Sequence, residues 1–134
     1  MLLSTKFKNE IIKKTGLNDL EFRLKNINVN GQKRGCSGFI YNPLIDVYVY
    51  VNTEPSCYKN MTICRYAKSF NDFTGDVNNN CFSEKELIEK TANLVTTMPW
   101  SKVMKTTEDA LRNNVSASEW AQIAYMQTGI KEAV

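Results

Sequence analysis

The 134-residue chain contains no histidine. Histidine is the side chain that most often activates a serine or cysteine nucleophile, transfers protons near neutral pH and ligates metals. Its absence excludes Ser–His and Cys–His nucleophiles, histidine acid–base catalysis and histidine metal sites, however the chain folds. We therefore predict a binding protein that is not an enzyme. An enzyme that uses Cys, Lys, Tyr or carboxylate groups remains an alternative.

The sequence also lacks long apolar segments and an apolar leader. No window approaches the ~18 apolar residues of a membrane-spanning helix. Lys6 and Lys8 come too early for the apolar region of a secretion signal. These features predict a cytoplasmic protein (in the host cell if a phage encodes it) with no membrane contact. In a reducing cytoplasm we expect free thiols at all four cysteines, which are Cys36, Cys57, Cys64 and Cys81.

A complete metal-binding motif is missing as well. The cysteines include no Cys-x-x-Cys pair of the kind that holds tetrahedral zinc. Asp76, Asn78 and Asn80 match the first ligands of a calcium loop. However, Cys81 stands where that loop needs glycine, and Leu87 stands where it needs a bidentate carboxylate. We predict no metal site and no cofactor.

Charge is present but unevenly distributed. Residues 1–34 contain eight Lys or Arg and three acidic residues, whereas residues 68–134 contain seven basic and nine acidic residues. A basic first third suits a phosphate-bearing or acidic partner, so a nucleic-acid-binding module that uses residues 1–34 is an alternative prediction. A solvated helix and a charged hairpin account for the same residues, and the net charge of +3 is low for a nucleic-acid-binding domain.

The first half of the chain has the pattern of a β-meander. Four segments have the alternating or branched composition of strands, namely residues 20–25, 36–41, 45–51 and 61–67. Val47, Val49 and Val51 share one side of the third segment. Gly35 and Gly38 are expected to permit a bulge or a sharp bend in the second. Because short connections join the four segments, we predict an antiparallel sheet.

Helical patterns flank this meander. Ser4 is expected to cap a first helix that runs to about residue 14 and ends at Gly16. A capping box of Ser83 and Glu86 begins another helix, which Pro99 is expected to end. Further helices are predicted over about residues 106–113 and 116–129.

Together these patterns predict an α+β fold in a single domain that covers residues 1–134. It consists of an N-terminal helix, an antiparallel four-stranded meander, and two or three C-terminal helices packed on one face of the sheet.

Residues 65–82 form the strongest candidate binding segment. The segment mixes cations, aromatic rings and amides at the point where the predicted sheet gives way to helices. Aromatic rings stack on bases, cations hold phosphates, and asparagine both donates and accepts hydrogen bonds. Alternatively, its phenylalanines only anchor the loop to the core. By residue type, the predicted ligand-binding residues are Arg65, Lys68, Asn78, Phe82 and Arg112.

Three short motifs occur in order before a predicted helix: a strand that ends Arg65-Tyr66-Ala67-Lys68, then Phe73-Thr74-Gly75, then the run Asn78-Asn79-Asn80. This arrangement resembles the first family of phage Thoeris anti-defence sponges. The resemblance covers about residues 45–95. Those proteins are small and non-enzymatic, with a β-meander followed by helices. They assemble as oligomers and sequester cyclic nucleotide signals, including cyclic ADP-ribose isomers.

The resemblance implies a phage or mobile-element protein that inhibits a host defence. Its partner would be a cyclic nucleotide, which it sequesters, or a host defence protein, which it binds. The resemblance also implies a homo-oligomer. It does not assign ligand residues one by one, so the five predicted residues depend on their chemistry alone.

Overall fold

The computed structural model describes residues 2–55, 61–73 and 78–112. Its helices are α1 (Ser4–Thr15), α2 (Glu84–Val95) and α3 (Trp100–Arg112). Its strands are β1 (Glu21–Val29), β2 (Gln32–Asn42), β3 (Val47–Asn52), β4 (Thr62–Ala67) and β5 (Asn79–Cys81). The strands form one sheet in the order β1-β2-β3-β4-β5, and every neighbouring pair is antiparallel. The predicted α+β class and the antiparallel meander are confirmed, with one strand more than predicted.

The additional strand is β5, which the sequence assigns to a polar loop. Thr62 pairs with Cys81 and Cys64 pairs with Asn79 in the β4–β5 ladder. The Asn79 side chain also donates a hydrogen bond to the Cys64 carbonyl at 3.2 Å. Two asparagines and a cysteine have no strand-like pattern, so this strand depends on pairing with β4 rather than on local preference.

The chain divides into two compact units, residues 1–96 and residues 97–134. The first contains α1, the sheet and α2, and α3 belongs to the second. Within the described ranges, no helix is long and apolar enough to cross a membrane.

Helix α1 ends as predicted but begins differently. Gly16 adopts a left-handed conformation with φ of 69°, and its N–H donates to the Ile12 carbonyl at 2.8 Å. The predicted cap at Ser4 is wrong, because Leu3 occupies the N-cap position. The Ser4 N–H instead donates to the side-chain oxygen of Asn26 on β1 at 2.8 Å. A residue distant in sequence therefore replaces the local cap.

The capping box of α2 is confirmed. The N–H of Glu86 donates to Ser83 Oγ at 3.1 Å, and the Glu86 carboxylate accepts from the N–H of Phe82 at 3.1 Å. The bond from Phe82, and then the neighbouring Lys90, lower the pKa of Glu86. Helix α2 ends at Val95.

Pro99 has a different role from the one predicted, because it begins a helix. Its carbonyl accepts hydrogen bonds from the N–H groups of Lys102 and Val103 in the first turn of α3. The helix expected from residue 106 therefore begins earlier, at Trp100, since proline suits the start of a helix. The helix predicted over residues 116–129 lies outside the described residues.

One face of the sheet, the inner face, carries the core. Val47, Val49 and Val51 of β3 are buried there, as the alternation predicts. Ile40 and Cys64 of the adjacent strands are also buried on this side. Helices α1 and α2 close the core with Phe7, Ile11, Leu87 and Val95, all of which are fully buried.

The glycines of β2 fit the predicted irregularity. The β1–β2 register shifts between Ile27 and Asn28, and Gly35 lies opposite Ile27. Gly38 has a φ of 149°, and a Cβ placed there would collide with the carbonyl oxygen of Arg23. Glycine at position 38 therefore lets β1 approach β2 closely.

Candidate ligand-binding cleft on the outer face of the sheet

The outer face, opposite α1 and α2, carries rings and cations in rows across the strands. In one row Arg23 pairs with Phe39, Phe39 with Tyr50, and Tyr50 with Arg65. Residues directly opposite one another in antiparallel strands share a face. The register therefore builds a row of two rings with one cation at each end of the row. The adjacent row contains Tyr41 opposite Tyr48. The alternation that buries the β3 valines therefore builds an aromatic surface on the other side.

These outer-face rings contact one another. Phe39 and Tyr50 have centroids 5.3 Å apart, and Tyr41 and Tyr48 stack at 4.3 Å with an interplanar angle of 30°. Such aromatic pairs add roughly 0.5–1.5 kcal/mol beyond the area that they bury. The rings thus form a floor of two contacting pairs rather than four independent side chains.

The segment after β4, residues 68–73, lies over this floor. Phe70 makes edge contacts with Tyr48 at 5.0 Å and Tyr41 at 5.9 Å. Phe73 makes edge contacts with Phe39 at 5.2 Å and Tyr50 at 6.2 Å, yet 68% of its surface remains exposed. Both phenylalanines anchor the segment, but they do so on the outer face rather than in the core.

Arg65, a predicted ligand residue, fastens this segment to the sheet. Only 3% of Arg65 is exposed, and its guanidinium lies over the Tyr50 ring at 4.6 Å from the centroid. The guanidinium donates to the carbonyl of Asp72 at 2.8 Å and to that of Tyr66 at 3.2 Å. The Asp72 carboxylate in turn accepts the backbone N–H of Lys68 at 2.8 Å. The structure therefore places Arg65 beneath the surface, where it holds the segment.

A cleft of about 390 Å³ opens between the β1–β2 side of the outer face and the 68–73 segment. We call it the aromatic cleft. It is lined by Phe22, Arg23, Leu24, Lys25, Ser37, Gly38, Phe39, Phe70, Asn71 and Phe73. Its volume falls in the range of small-molecule sites.

Two cations from the basic first third line the aromatic cleft. The Arg23 guanidinium lies over the Phe70 ring at 3.8 Å and pairs with the Glu21 carboxylate at 3.4 Å. Both members of this ion pair are about half exposed, so water screens the attraction between them. Lys25 is exposed on the same strand. The cleft therefore presents positive charge beside an exposed aromatic ring.

The other predicted site residues do not meet in the aromatic cleft. Lys68 and Asn78 are exposed and do not line it. Phe82 is 65% exposed and lines a separate cleft of about 340 Å³ that includes Arg34 and Glu84. Arg112 ends α3 in the second compact unit, and its side chain lies outside the described set. Among the predicted residues whose side chains are described, the structure brings together Arg65 and Lys68, through Asp72.

The cleft residues that sequence reasoning missed follow from strand alternation. Arg23 and Lys25, which line the cleft, alternate with apolar residues on β1. Tyr50, which contacts the cleft residue Phe73, alternates with valines on β3. Each pattern assigns the polar or aromatic residue to the face away from the core. Phe73 and Asn71 lie in the predicted binding segment 65–82 but are not among the five predicted residues, because that segment has no repeating pattern that assigns its residues to a face.

The described thiols are buried away from reactive surroundings. Cys36, Cys64 and Cys81 are free and fully buried. Burial, above all, raises the pKa of Cys64 to about 12 and raises those of the other two thiols. Since the thiolate is the reactive form, these cysteines are inert near neutral pH. Among the residues described here, no cluster of Cys, Asp and Glu is suited to hold a metal ion.

Comparisons of the chain with protein-family models, with curated proteins and with solved structures gave no match. The resemblance to the anti-defence sponges therefore stays a prediction.

Proposed function

We propose that this chain binds a nucleotide in the aromatic cleft. The observation that carries the proposal is the exposed ring of Phe73 beside Arg23 and Lys25 in one cleft. A nucleotide combines a flat base with an anionic phosphate, and the cleft offers a partner for each. Base stacking on an aromatic side chain is worth roughly 1–3 kcal/mol.

The lining of the aromatic cleft provides different contacts for the base and for the phosphate of such a ligand. Phe39, Phe70 and Phe73 belong to the apolar lining of the cleft. The base would lie on Phe73, whose ring is 68% exposed, because Phe39 is only 3% exposed. Arg23, whose guanidinium lies over the Phe70 ring at 3.8 Å, and Lys25 line the same cleft and would bind the phosphate. The amide of Asn71, which also lines the cleft, provides a donor and an acceptor for the edge of a base.

The biological setting of this proposal comes from the resemblance alone. On that prediction the bound nucleotide is a signal of a host defence, and the protein removes it from solution without converting it. Binding to a host defence protein remains the alternative partner.

The proposal is tested by calorimetric titration of the full chain with ADP, adenosine and ribose 5-phosphate. ADP carries both halves of the predicted ligand, so we expect it to bind more tightly than either fragment. The variant Phe73→Ala should weaken ADP binding about tenfold or more, because it removes one stacking surface.

Phe82→Ala is the matched control. Phe82 is exposed to nearly the same extent as Phe73, at 65% against 68%, but lies outside the aromatic cleft. Its replacement should leave ADP affinity unchanged. If ADP shows no binding, or if both variants weaken it equally, the aromatic cleft is not a nucleotide site.

A second candidate function uses the same cations. Arg23 and Lys25 belong to the basic first third, so a single-stranded nucleic acid is the alternative occupant of the cleft. Affinity for a strand falls steeply as salt rises, because each neutralised phosphate releases counterions. Titration with an oligonucleotide at two salt concentrations separates the candidates, since strand binding requires a steeper salt dependence than that of ADP.

A further inference from the structure

The two edges of the sheet differ in length. Strand β5 at one edge has only three residues, whereas β1 at the other has nine. In the part of the chain that the structure describes, β1 pairs with β2 alone. Its other edge therefore presents a row of backbone N–H and C=O groups that a further strand can pair with. Proteins usually shorten or disrupt such edges to prevent pairing.

The sequence at this edge is complementary in charge and hydrophobicity to a second copy of itself that runs in the opposite direction. A second copy of β1, antiparallel and centred on Phe22, places Phe22 opposite Phe22. The flanking pair within β1 is then Glu21 with Arg23. The two residues that precede the strand continue the pattern, with Leu20 opposite Leu24 and Asp19 opposite Lys25. Within residues 19–25, every charged residue in this register meets a charge of opposite sign, and every apolar residue meets an apolar one.

Charge order distinguishes this edge from a protected one. Charges of a single sign along an edge repel a second copy and prevent pairing. Here two acidic residues precede Phe22 and two basic residues follow it. Antiparallel self-pairing therefore brings opposite charges together on both sides of the centre. The apolar residues also favour self-pairing. Phe22 and Leu24 are only partly buried against the core of their own copy, so both have surface left for contact with a second copy.

We propose that two copies of this chain associate through β1, antiparallel and centred on Phe22, so that one sheet runs through both. The two-fold axis of an antiparallel pair is perpendicular to the sheet, so both outer faces lie on the same side. The aromatic clefts then lie on the same side of the joined sheet, one on each side of the axis, because Arg23 and Lys25 line each of them. Glu21 of the second copy lies beside Arg23 of the first. This association does not depend on the proposed ligand.

The register makes a covalent test possible. Residues directly opposite in an antiparallel pair have Cα atoms roughly 4.5–5.5 Å apart, which a disulfide can bridge. In the full chain, Phe22→Cys should form a covalent dimer under mild oxidation. Leu24→Cys is the matched control, because Leu24 faces Leu20 of the second copy and is far from its own equivalent. The unsubstituted chain under the same oxidation provides the baseline for the native cysteines.

Reversing the charges of residues that face each other in the proposed dimer tests the same register without introducing cysteine. Sedimentation should show the 15.3 kDa chain approaching twice its mass as concentration rises. The variant Arg23→Glu places like charges opposite each other twice and should weaken the association about tenfold or more. The double variant Glu21→Arg/Arg23→Glu restores opposite charges and should recover it. Both variants lack the Arg23–Phe70 contact, so the difference between them reports charge pairing.

Three results would overturn the proposal. The first is a monomer at all concentrations together with no disulfide at position 22. The second is a dimer in which Leu24→Cys cross-links as readily as Phe22→Cys. The third is a double variant that associates no better than Arg23→Glu.

Discussion

The two faces of the sheet are built by the same strands but differ in what they bury. On the inner face, branched side chains such as Val49 and Ile40 lie under two helices and are completely buried. On the outer face, rings such as Tyr48 and Tyr50 lie under a short irregular segment, and Phe73 stays largely exposed. The inner face stabilises the fold, and the outer face carries the proposed nucleotide site. Substitutions on the two faces should therefore have separable effects.

The largest expected effect comes from Gly38→Ala, which should disrupt both faces at once. The new Cβ collides with the Arg23 carbonyl, so β1 and β2 must move apart. We expect a loss of about 4 kcal/mol or more in the free energy of unfolding, measured by urea denaturation. Gly31→Ala is the control: Gly31 also has positive φ, at 79°, but no atom lies within 4 Å of an added Cβ. Its cost should be about 1 kcal/mol. Equal costs at the two glycines would contradict the close approach of β1.

The inner face alone is tested by Leu87→Ala. Leu87 on α2 is fully buried against the sheet, so truncation should cost about 3 kcal/mol in the free energy of unfolding. Leu44→Ala is the matched control, because Leu44 is 64% exposed and its truncation should cost less than about 0.5 kcal/mol. If Leu87 proves as tolerant as Leu44, helix α2 does not close the core as described.

The connection between the outer face and its covering segment is tested by Arg65→Met. The substitution removes the donor to the Asp72 and Tyr66 carbonyls and should cost roughly 1–3 kcal/mol. It should also weaken ADP binding, because Phe70 and Phe73 lose their fixed positions. Lys68→Met is the control, since the hydrogen bond of Lys68 to Asp72 uses the backbone N–H. If Lys68→Met weakens ADP binding and Arg65→Met does not, the ligand contacts the Lys68 side chain, and Arg65 is not needed to hold Phe70 and Phe73 in place.

A smaller effect is expected from pH. Burial raises the pKa of the Cys64 thiol from 9.0 to about 12, so the folded state retains a proton that the unfolded chain releases. The contribution of this group to stability is complete below pH 9 and is lost as pH rises towards 12. Each group of this kind contributes a slope of up to about 1.4 kcal/mol per pH unit in that window. Denaturation of Cys64→Ala across the same range should show a shallower slope, and an identical slope would contradict the burial of this thiol.

Strand alternation made both faces of the sheet predictable from the sequence, whereas features that depend on contacts between distant residues were not predictable. Alternation along β3 predicts the inner valines, and the same alternation predicts the outer tyrosines, because both follow from backbone geometry. By contrast, Asn79 and Cys81 have no strand-like pattern, and only pairing with β4 makes them a strand. The cap of α1 came from Asn26, a contact between residues distant in sequence. The buried position of Arg65 likewise depends on the path of the 68–73 segment, which has no periodic signal.

The central claim is that a nucleotide binds the outer face. It is tested most directly by fluorine NMR of the chain labelled at its six phenylalanines and titrated with ADP. We predict that the signals of Phe22, Phe39, Phe70 and Phe73 shift, because these rings line the aromatic cleft. The signals of Phe7 in the core and Phe82 in the separate cleft should stay in place. A titration that shifts Phe82 but not Phe73, or that shifts no signal, would contradict the account.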